Sequence, residues 1–330
     1  MKKIDPDKTS ALDMYQFLIG AVSPRPIAFV STIDTEGVLN LAPYSFFNAF
    51  CANPPIVGFS CGTRASDGTK KDTLANVREI GECVINIVSY SFVRQMALTA
   101  FDFPKEVSEF EKSGLTPLAS DLVRPFRVQE SHIQMECVVE QILTLSEEKG
   151  GGTLVLCRVL RMHINEAILD KNRIDPRKLD AVGRMGRFWY NRVNGDGLFE
   201  IERRDSAPII GYDGLPESIR TSEVLTANHV AHIASLSALP SKEAILLVKK
   251  DSRVQKTLFS QNILRGLHLL AQEEMLKARS SASRSWCCRN GFETETASPS
   301  SRRRWSPARS RVEVSGTMGS NCRAGIARMA

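Results

Sequence analysis

Two long alternating runs constrain the fold of this chain more than any other feature. His132 to Ser146 and Thr153 to Ile164 both alternate apolar and polar residues, and Glu147 to Gly152, which ends in three glycines, joins them. A period of two is typical of strands with one buried face, and a Gly-rich link favours an antiparallel hairpin over a βαβ unit. The sequence therefore predicts a mainly β fold, an antiparallel β-barrel with flanking helices.

A second hairpin is predicted nearer the N-terminus. Ile27 to Ile33 is apolar and rich in β-branched residues, Asp34 to Gly37 has turn chemistry, and an apolar run resumes from Val38 to Phe47. Proline cannot donate to a β-ladder, so Pro26 and Pro43 belong at strand starts, edges or bulges. Such places leave neighbouring amides and carbonyls available to a flat, polar ligand.

A helix N-terminus is predicted directly after a polar loop. The loop spans residues 62 to 71, and Asp72-Thr73 then opens an apolar-periodic run. The unpaired N–H groups and positive dipole of a helix N-terminus suit a phosphate, so Lys71 and Thr73 are candidate ligands. The loop is close to a Walker A motif, but Gly68 precedes Thr69-Lys70 where Lys-Ser/Thr is required, which argues against a nucleoside triphosphate. A lysine at a loop–helix junction is also common on solvated surfaces, and this pattern alone does not decide between the two interpretations.

Four sequence blocks follow one another between residues 23 and 73. They are Ser-Pro-Arg-Pro-Ile-Ala-Phe-Val-Ser-Thr (23 to 32), Asn-Leu-Ala-Pro-Tyr-Ser-Phe-Phe (40 to 47), Pro-Pro-Ile-Val-Gly-Phe-Ser-Cys (54 to 61) and Lys-Lys-Asp-Thr (70 to 73). Further on, Gly183, Arg184, Gly186 and Tyr190 form a Gly-Arg-x-Gly-x-x-Tyr element. In this order the blocks resemble the flavin reductase-like family. The resemblance implies an antiparallel split β-barrel that binds FMN.

The resemblance also implies which residues contact FMN. The expected contacts are Arg25, Ser31, Thr32, Asn40, Leu41, Ala42, Pro43, Ser45, Ser60, Cys61, Lys71, Thr73 and Arg184. Taken singly, Thr32 and Ser45 are ordinary strand hydroxyls, and Tyr44, Phe46 and Phe47 are more typical of a core than of stacking partners. The 183–190 element is equally compatible with a tight turn that carries a surface arginine.

The implied activity is that of an FMN-dependent oxidoreductase, with NADH or NADPH as the hydride donor and a monooxygenase as a possible acceptor partner. In such chemistry the flavin carries the reaction and the protein binds and orients it. This agrees with a sequence that shows no Ser-His-Asp, Cys-His or paired-carboxylate pattern, so no catalytic side chain and no metal ligand are expected. Two alternatives stay open: a non-enzymatic FMN electron carrier with permanently bound flavin, and a helical interaction module attached to an inactive barrel. The resemblance also implies a homodimer.

Charge and cysteine content limit the possible partners and the expected cellular compartment. The formal charge is +6, but residues 278–330 hold ten Arg, no Lys and three Glu, so the rest of the chain is close to neutral. A neutral body without a basic aromatic stripe argues against nucleic acid as a partner. With no apolar leader or run of 18 apolar residues, we expect a cytoplasmic protein without a membrane span. The five cysteines of the body lack metal-ligand spacing, and buried free thiols are expected.

Three regions are expected along the chain. Residues 1–193 form the FMN-binding domain, residues 194–277 a helical extension with helices over Ser222–Leu239 and Val254–Lys277, and residues 278–330 a tail without periodicity. The Arg- and Ser-rich composition of the tail predicts disorder. Its loss of Lys also fits a shifted reading frame from about residue 278, and an intact frame would instead leave an Arg/Ser-rich tail for nucleic acid or a partner.

Overall fold

A computed structural model describes residues 1–62, 71–148, 150–201, 208–258, 262, 265–271 and 273. The chain divides into two compact units, Met1–Glu202 and Arg203–Ala330. The polar loop at 63–70 and the tail at 278–330 lie outside the described residues, as do the predictions made for them. The domain boundary at residue 193 stays a prediction.

The first unit is built on a seven-stranded antiparallel sheet with the strand order β2-β1-β5-β8-β9-β4-β3. Three two-stranded pairs, β6 with β7, β10 with β11 and β12 with β13, accompany it. The strands are β1 (Ala28–Ile33), β2 (Leu39–Tyr44), β3 (Phe47–Ala52), β4 (Pro55–Gly62), β5 (Glu82–Ile87), β6 (Pro117–Leu118), β7 (Arg127–Val128), β8 (Ile133–Thr144), β9 (Gly152–Ile164), β10 (Leu169–Asp170), β11 (Arg173–Ile174), β12 (Val182–Arg184) and β13 (Tyr190–Arg192).

Both predicted hairpins are confirmed. Strands β8 and β9 pair antiparallel from Ile133 opposite Ile164 to Thr144 opposite Thr153, with two register shifts, one bulged residue on each strand. Strands β1 and β2 pair antiparallel around the predicted turn. The Asp34 carboxylate holds that turn, because its Oδ1 accepts from the amides of Glu36 and Val38 at 2.9 and 2.8 Å. The bond from the Val38 amide is the largest cause that lowers the pKa of Asp34, and the bond from the Glu36 amide lowers it further.

The sequence predicted one strand from Val38 to Phe47, and this prediction is wrong. Strand β2 ends at Tyr44, the chain bends at Ser45 and Phe46, and β3 begins at Phe47. Because β2 and β3 occupy opposite edges of the sheet and only two residues separate them, the sheet must curl until its edges meet. The bend therefore closes a split barrel.

Strand β1 is buried on both faces. Val30 packs in an inner cluster with Phe59, Val77 and the thiols of Cys61, Cys83, Cys137 and Cys157. Phe29, its neighbour on β1, packs in an outer cluster with Phe92, Met96 and Phe110. Four of the five body cysteines are buried as predicted, but Cys51 is exposed, and the sulfurs of Cys83 and Cys157 lie 3.7 Å apart and are not isolated.

Short helices flank the barrel and build the described part of the second unit. They are α1 (Ala11–Ala21), α2 (Asp72–Ile80), α3 (Val93–Leu98), α4 (Glu109–Ser113), α5 (Pro176–Leu179), α6 (Glu217–Arg220), α7 (Ala227–Ala234), α8 (Lys242–Val248) and α9 (Ser252–Leu258). The helix predicted over Ser222–Leu239 is shorter, because Thr226 forms a capping box with His229 and starts α7 there. Within the predicted Val254–Lys277 helix, residues up to Leu258 belong to α9 and residues 265–271 are helical, and the rest of the predicted helix lies largely outside the described residues.

The second unit has a small core of its own around Leu215, Leu225, Val230 and Ala234. Within the described ranges, no helix combines the length and apolarity that a membrane span requires.

Candidate functional site

The N-terminus of α2 carries the predicted cation. Lys71 is the N-cap residue and provides no side-chain cap to the first turn. Its Nζ lies 5.6 Å from the centre of the Tyr44 ring, a cation–π contact, and in the described part of the chain no ion pair involves it. The lysine charge therefore adds to the positive end of the helix dipole, and the two together favour an anion.

A buried polar network lies behind this helix end. The Asn40 Nδ2 group donates to the hydroxyls of Thr73 and Thr32 at 2.8 and 3.0 Å. The Thr32 hydroxyl also accepts from Asn76 Nδ2 at 3.1 Å. All four side chains are more than nine-tenths buried. Three of them, Thr32, Asn40 and Thr73, were expected from the family resemblance, and the structure brings them together.

Tyr44 presents a buried hydroxyl that has no hydrogen-bond partner among the described residues. Its ring stacks at a tilt on Phe59, with centroids 5.2 Å apart, and its Oη lies beside Thr73 and Cys61. Only 5 % of the residue is exposed. Burial is the main cause that raises the pKa of Tyr44 well above its usual value and that of Cys61 to about 12. Both groups therefore stay protonated at neutral pH, and the Tyr44 hydroxyl is an unused donor.

Strand β2 offers an outward edge beside the helix end. The Leu41 amide donates to Glu109 Oε2 at 2.9 Å, so this residue turns its backbone polar groups away from β1. By the same alternation the carbonyl of Pro43 faces outward, where proline supplies no N–H. The Leu41 side chain is wholly buried, whereas Ala42 and Pro43 are half-buried. Any contact from Leu41 to a ligand must therefore come from its backbone, and the outward edge at Pro43 offers only an acceptor.

The two predicted arginines lie together, because Arg25 and Arg184 form a backbone bridge. Arg25 is 4 % exposed, and its guanidinium donates to the carbonyls of Val22 and Met185 at 2.7 and 3.2 Å, to that of Ile19, and to the Ser45 hydroxyl at 3.4 Å. Burial lowers the pKa of Arg25. The donors of Arg25 are thus committed to the chain itself, and Ser45 reaches it.

Arg184 pairs with Arg25 through the backbone, with N···O distances of 2.8 and 2.9 Å. Its side chain stacks on Tyr190 at 4.6 Å and donates to the carbonyl of Trp189 at 3.1 Å. The glycine pair that frames it is filled by the protein: a Cβ on Gly183 would come within 3.1 Å of Pro24, and one on Gly186 within 3.1 Å of Gly20. The close approach that these glycines allow is therefore to other parts of the chain itself, side chains at Gly183 and backbone at Gly186.

The last two predicted residues lie on different strands of the barrel. Ser31 on β1 is wholly buried, and its hydroxyl has no hydrogen-bond partner in the described part of the chain, while Ser60 on β4 is half-buried. Ser60 also fixes the closing bend, because its amide donates to the Phe46 carbonyl at 2.8 Å.

One cluster in the described residues has the composition of a metal site. Asp121, Glu136 and His163 hold their ligand atoms within 4.8 Å of one another. Their acceptors are already used, however, since Glu136 accepts from the amides of Asp121 and Leu122 at 3.0 and 2.6 Å, and Asp121 pairs with Arg161 at 2.7 Å. The cluster pins the loop that precedes β7 and carries no metal assignment.

Comparison with known proteins identifies the family of this chain. Residues 20–179 match the flavin reductase like domain. A protein of unknown activity from Halalkalibacterium halodurans is 38 % identical over 203 residues, which is 61 % of this chain and 96 % of that protein. The chain belongs to the flavin reductase-like family. Its coarse biochemical class is therefore that of a flavin-binding oxidoreductase.

Solved structures agree with the assignment. Nitrilotriacetate monooxygenase component B from Bacillus cereus is 37 % identical with a TM-score of 0.57, and the match covers 61 % of this chain and 98 % of that one. A putative flavin reductase with a split barrel domain from Shewanella frigidimarina has a TM-score of 0.53 at 22 % identity, over 62 % of this chain and all of that one. The latter bears on the fold alone and confirms the split barrel.

Sequence reasoning missed three residues around the helix end: Asn76, Tyr44 and Glu109. Asn76 had a weak signal, since a polar side chain on the buried face of an amphipathic helix requires a partner. Tyr44 stood within the matched blocks and was assigned to the core, which is correct for its ring but not for its hydroxyl. Glu109 is distant in sequence, and no local pattern pointed to it.

Proposed function

We propose that the protein is an NAD(P)H-dependent FMN reductase. The observation that carries this is the α2 N-terminus, where the Lys71 charge, the Thr73 hydroxyl and the unused Tyr44 donor adjoin the acceptor edge of β2. Lys71 and Thr73 would hold the phosphate. The backbone from Asn40 to Pro43 would line the ring and the ribityl chain. Bound flavin would supply hydride acceptance from the nicotinamide nucleotide and onward electron transfer.

The remaining predicted contacts take more limited roles in this proposal. Ser45 faces the ligand with its position set by Arg25, which acts as a support. Ser31, Ser60 and Cys61 line the barrel wall behind the ligand. Arg184 is half-buried and has one side-chain hydrogen bond in the described residues, so it retains donors for a phosphate of NADH or NADPH.

We infer an oxygenase as the acceptor of the reduced flavin. The similar protein from Bacillus cereus is component B of a monooxygenase, and this supports an electron-supplying role in a pair of proteins. A reductase and a permanently flavinated electron carrier differ in one assay, the aerobic oxidation of NADH and NADPH with and without added FMN. Turnover that saturates with free FMN supports the reductase. A yellow protein that oxidises neither nucleotide overturns it and favours the carrier.

We also propose that the protein acts as a homodimer. Apolar side chains on α1 and around the barrel closure are exposed, including Leu12, Leu18 and Phe50, and Tyr15 packs on Phe46 at 6.4 Å in the same surface. Exposed apolar side chains that gather on one face are typical of an interface, and the Tyr15–Phe46 contact supports such a grouping here. Light scattering at micromolar concentration should give twice the chain mass. A monomer that binds FMN fully would contradict the dimer and leave the reductase assignment in place.

A further inference from the structure

The Thr32–Asn40–Thr73–Asn76 network connects three elements that meet at the candidate site. Thr32 lies on β1, Asn40 on β2, and Thr73 and Asn76 on successive turns of α2. Three hydrogen bonds of 2.8 to 3.1 Å join them. The helix is thus held twice, by Asn40 in its first turn and by Thr32 in its second.

The hydrogen bonds of the network limit the groups to which the Thr73 hydroxyl can donate. Both Nδ2 hydrogens of Asn40 are used, one on each threonine oxygen, and Asn76 adds a second bond to Thr32. Since the Thr73 oxygen accepts from Asn40, its own hydrogen is left for another acceptor. Tyr44 Oη lies beside it, and an anion at the helix end would be a second acceptor for the Thr73 hydroxyl.

The network also fixes the separation between the two halves of the proposed site. The phosphate half of the proposed site is the α2 N-terminus, and the ring half is the β2 edge from Asn40 to Pro43. Asn40 joins the two halves, because it lies on β2 next to the outward-facing Leu41 and its side chain binds Thr73. Asn76 and Thr32 brace that junction from behind. A ligand that spans both halves is sensitive to their separation, whereas a ligand that occupies only the ring half is not.

We propose that Asn76, acting through Thr32 and Asn40, is a positioning residue that sets the preference of this site for a phosphorylated flavin. The inference rests on the proposed FMN site at the α2 N-terminus. Asn76 does not touch the ligand. It holds the helix so that Thr73 and the first-turn amides meet a phosphate while the ring lies on β2.

The test is a fluorescence titration of FMN and riboflavin against the full-length protein and matched variants. Asn76→Ala and Thr32→Val each remove part of the network, and Thr32→Ser keeps the hydroxyl. We expect Asn76→Ala and Thr32→Val to weaken FMN about tenfold, with riboflavin changed less than about twofold. Thr32→Ser should restore the FMN preference. The double variant should lose no more than the worse single variant, because both act on one contact.

The outcomes separate the inference from the function that it assumes. Equal losses for FMN and riboflavin in both network variants would make Asn76 a support of the fold only and overturn the inference. Should Asn76→Ala not fold, the Thr32→Val and Thr32→Ser pair decides by the same ratio. If the wild type shows no preference for FMN over riboflavin, or if Lys71→Ala does not reduce that preference, the proposed site itself is wrong. If Lys71→Ala reduces it and the Asn76 and Thr32 variants keep it, only the positioning role fails.

Discussion

Two helix ends next to the barrel each carry a cation, and the two cations have opposite roles. Lys71 stands at the N-terminus of α2, where the dipole is positive and the described residues provide no carboxylate partner. Arg25 stands at the C-terminal end of α1, where it donates to the carbonyls of Ile19 and Val22. A cation at a helix C-terminus satisfies the helix, whereas a cation at an N-terminus adds to an unsatisfied positive end.

The contrast shows that charge alone does not identify a ligand contact. The family resemblance implied both residues as FMN contacts. Burial and hydrogen bonding separate them, because the Arg25 donors are already used by three carbonyls and Ser45. We therefore expect changes at Arg25 to affect folding and changes at Lys71 to affect binding.

The largest effect is expected for Arg25→Ala. It removes the donor from the buried carbonyl of Ile19 and from the part-buried carbonyls of Val22 and Met185, and an unsatisfied buried group costs roughly 1 to 3 kcal/mol. Urea unfolding should show a loss of about 3 kcal/mol or more, or no folded protein. Lys71→Ala is the matched control and should change the unfolding free energy by less than about 0.5 kcal/mol. A stable Arg25→Ala protein that has lost FMN binding would reverse the roles of the two cations.

Lys71→Ala should have the next largest effect, on catalysis. Loss of a charge-assisted hydrogen bond worth about 1.5 to 3 kcal/mol should raise the KM for FMN roughly ten- to a hundredfold in NADH oxidation. The kcat at saturating FMN should change little, because the proposed contact is to the phosphate and not to the reacting ring. A fall in kcat at unchanged KM would place Lys71 near the ring instead.

Glu109, whose carboxylate accepts from β2 beside Lys71, should make the stability of the protein depend on pH. Burial raises the pKa of this carboxyl, an effect that the Leu41 amide opposes and that Asp72 assists. The folded state therefore binds a proton more readily than the unfolded state, and this contribution to stability falls as pH rises from about 4.5 through the raised pKa. Glu109→Gln keeps an acceptor for Leu41 and should remove that fall. Parallel stability–pH curves for the two proteins would contradict the assignment.

The smallest effect is expected for Arg184→Ala. Its side chain has one hydrogen bond and one ring contact, and its pairing with Arg25 is through the backbone. We expect a rise of a few-fold in the KM for the nicotinamide nucleotide, with FMN affinity and stability nearly unchanged, as is usual for a partly exposed charge. A large loss of FMN affinity would move the phosphate site towards the arginines.

Local sequence patterns predicted the parts of the fold that depend on neighbours in the chain. Alternation gave the β8–β9 hairpin, turn chemistry gave β1–β2, and the Asp72-Thr73 signal gave the start of α2. The bend at Ser45 and Phe46 was not predicted, because it is imposed by closure of the barrel and the apolar run continues through it. The role of Arg25 depends on Met185, which is 160 positions away. The role of Asn76 appears only when β1 is brought against α2.

The most direct test of this contrast is the ratio of riboflavin to FMN dissociation constants in three proteins: the wild type, Lys71→Ala and Arg25→Lys. We predict a wild-type ratio well above one. It should fall about ten- to a hundredfold in Lys71→Ala and stay near the wild-type value in Arg25→Lys, even if the latter is less stable. A ratio that falls in Arg25→Lys and not in Lys71→Ala would contradict the account and place the phosphate at the arginines.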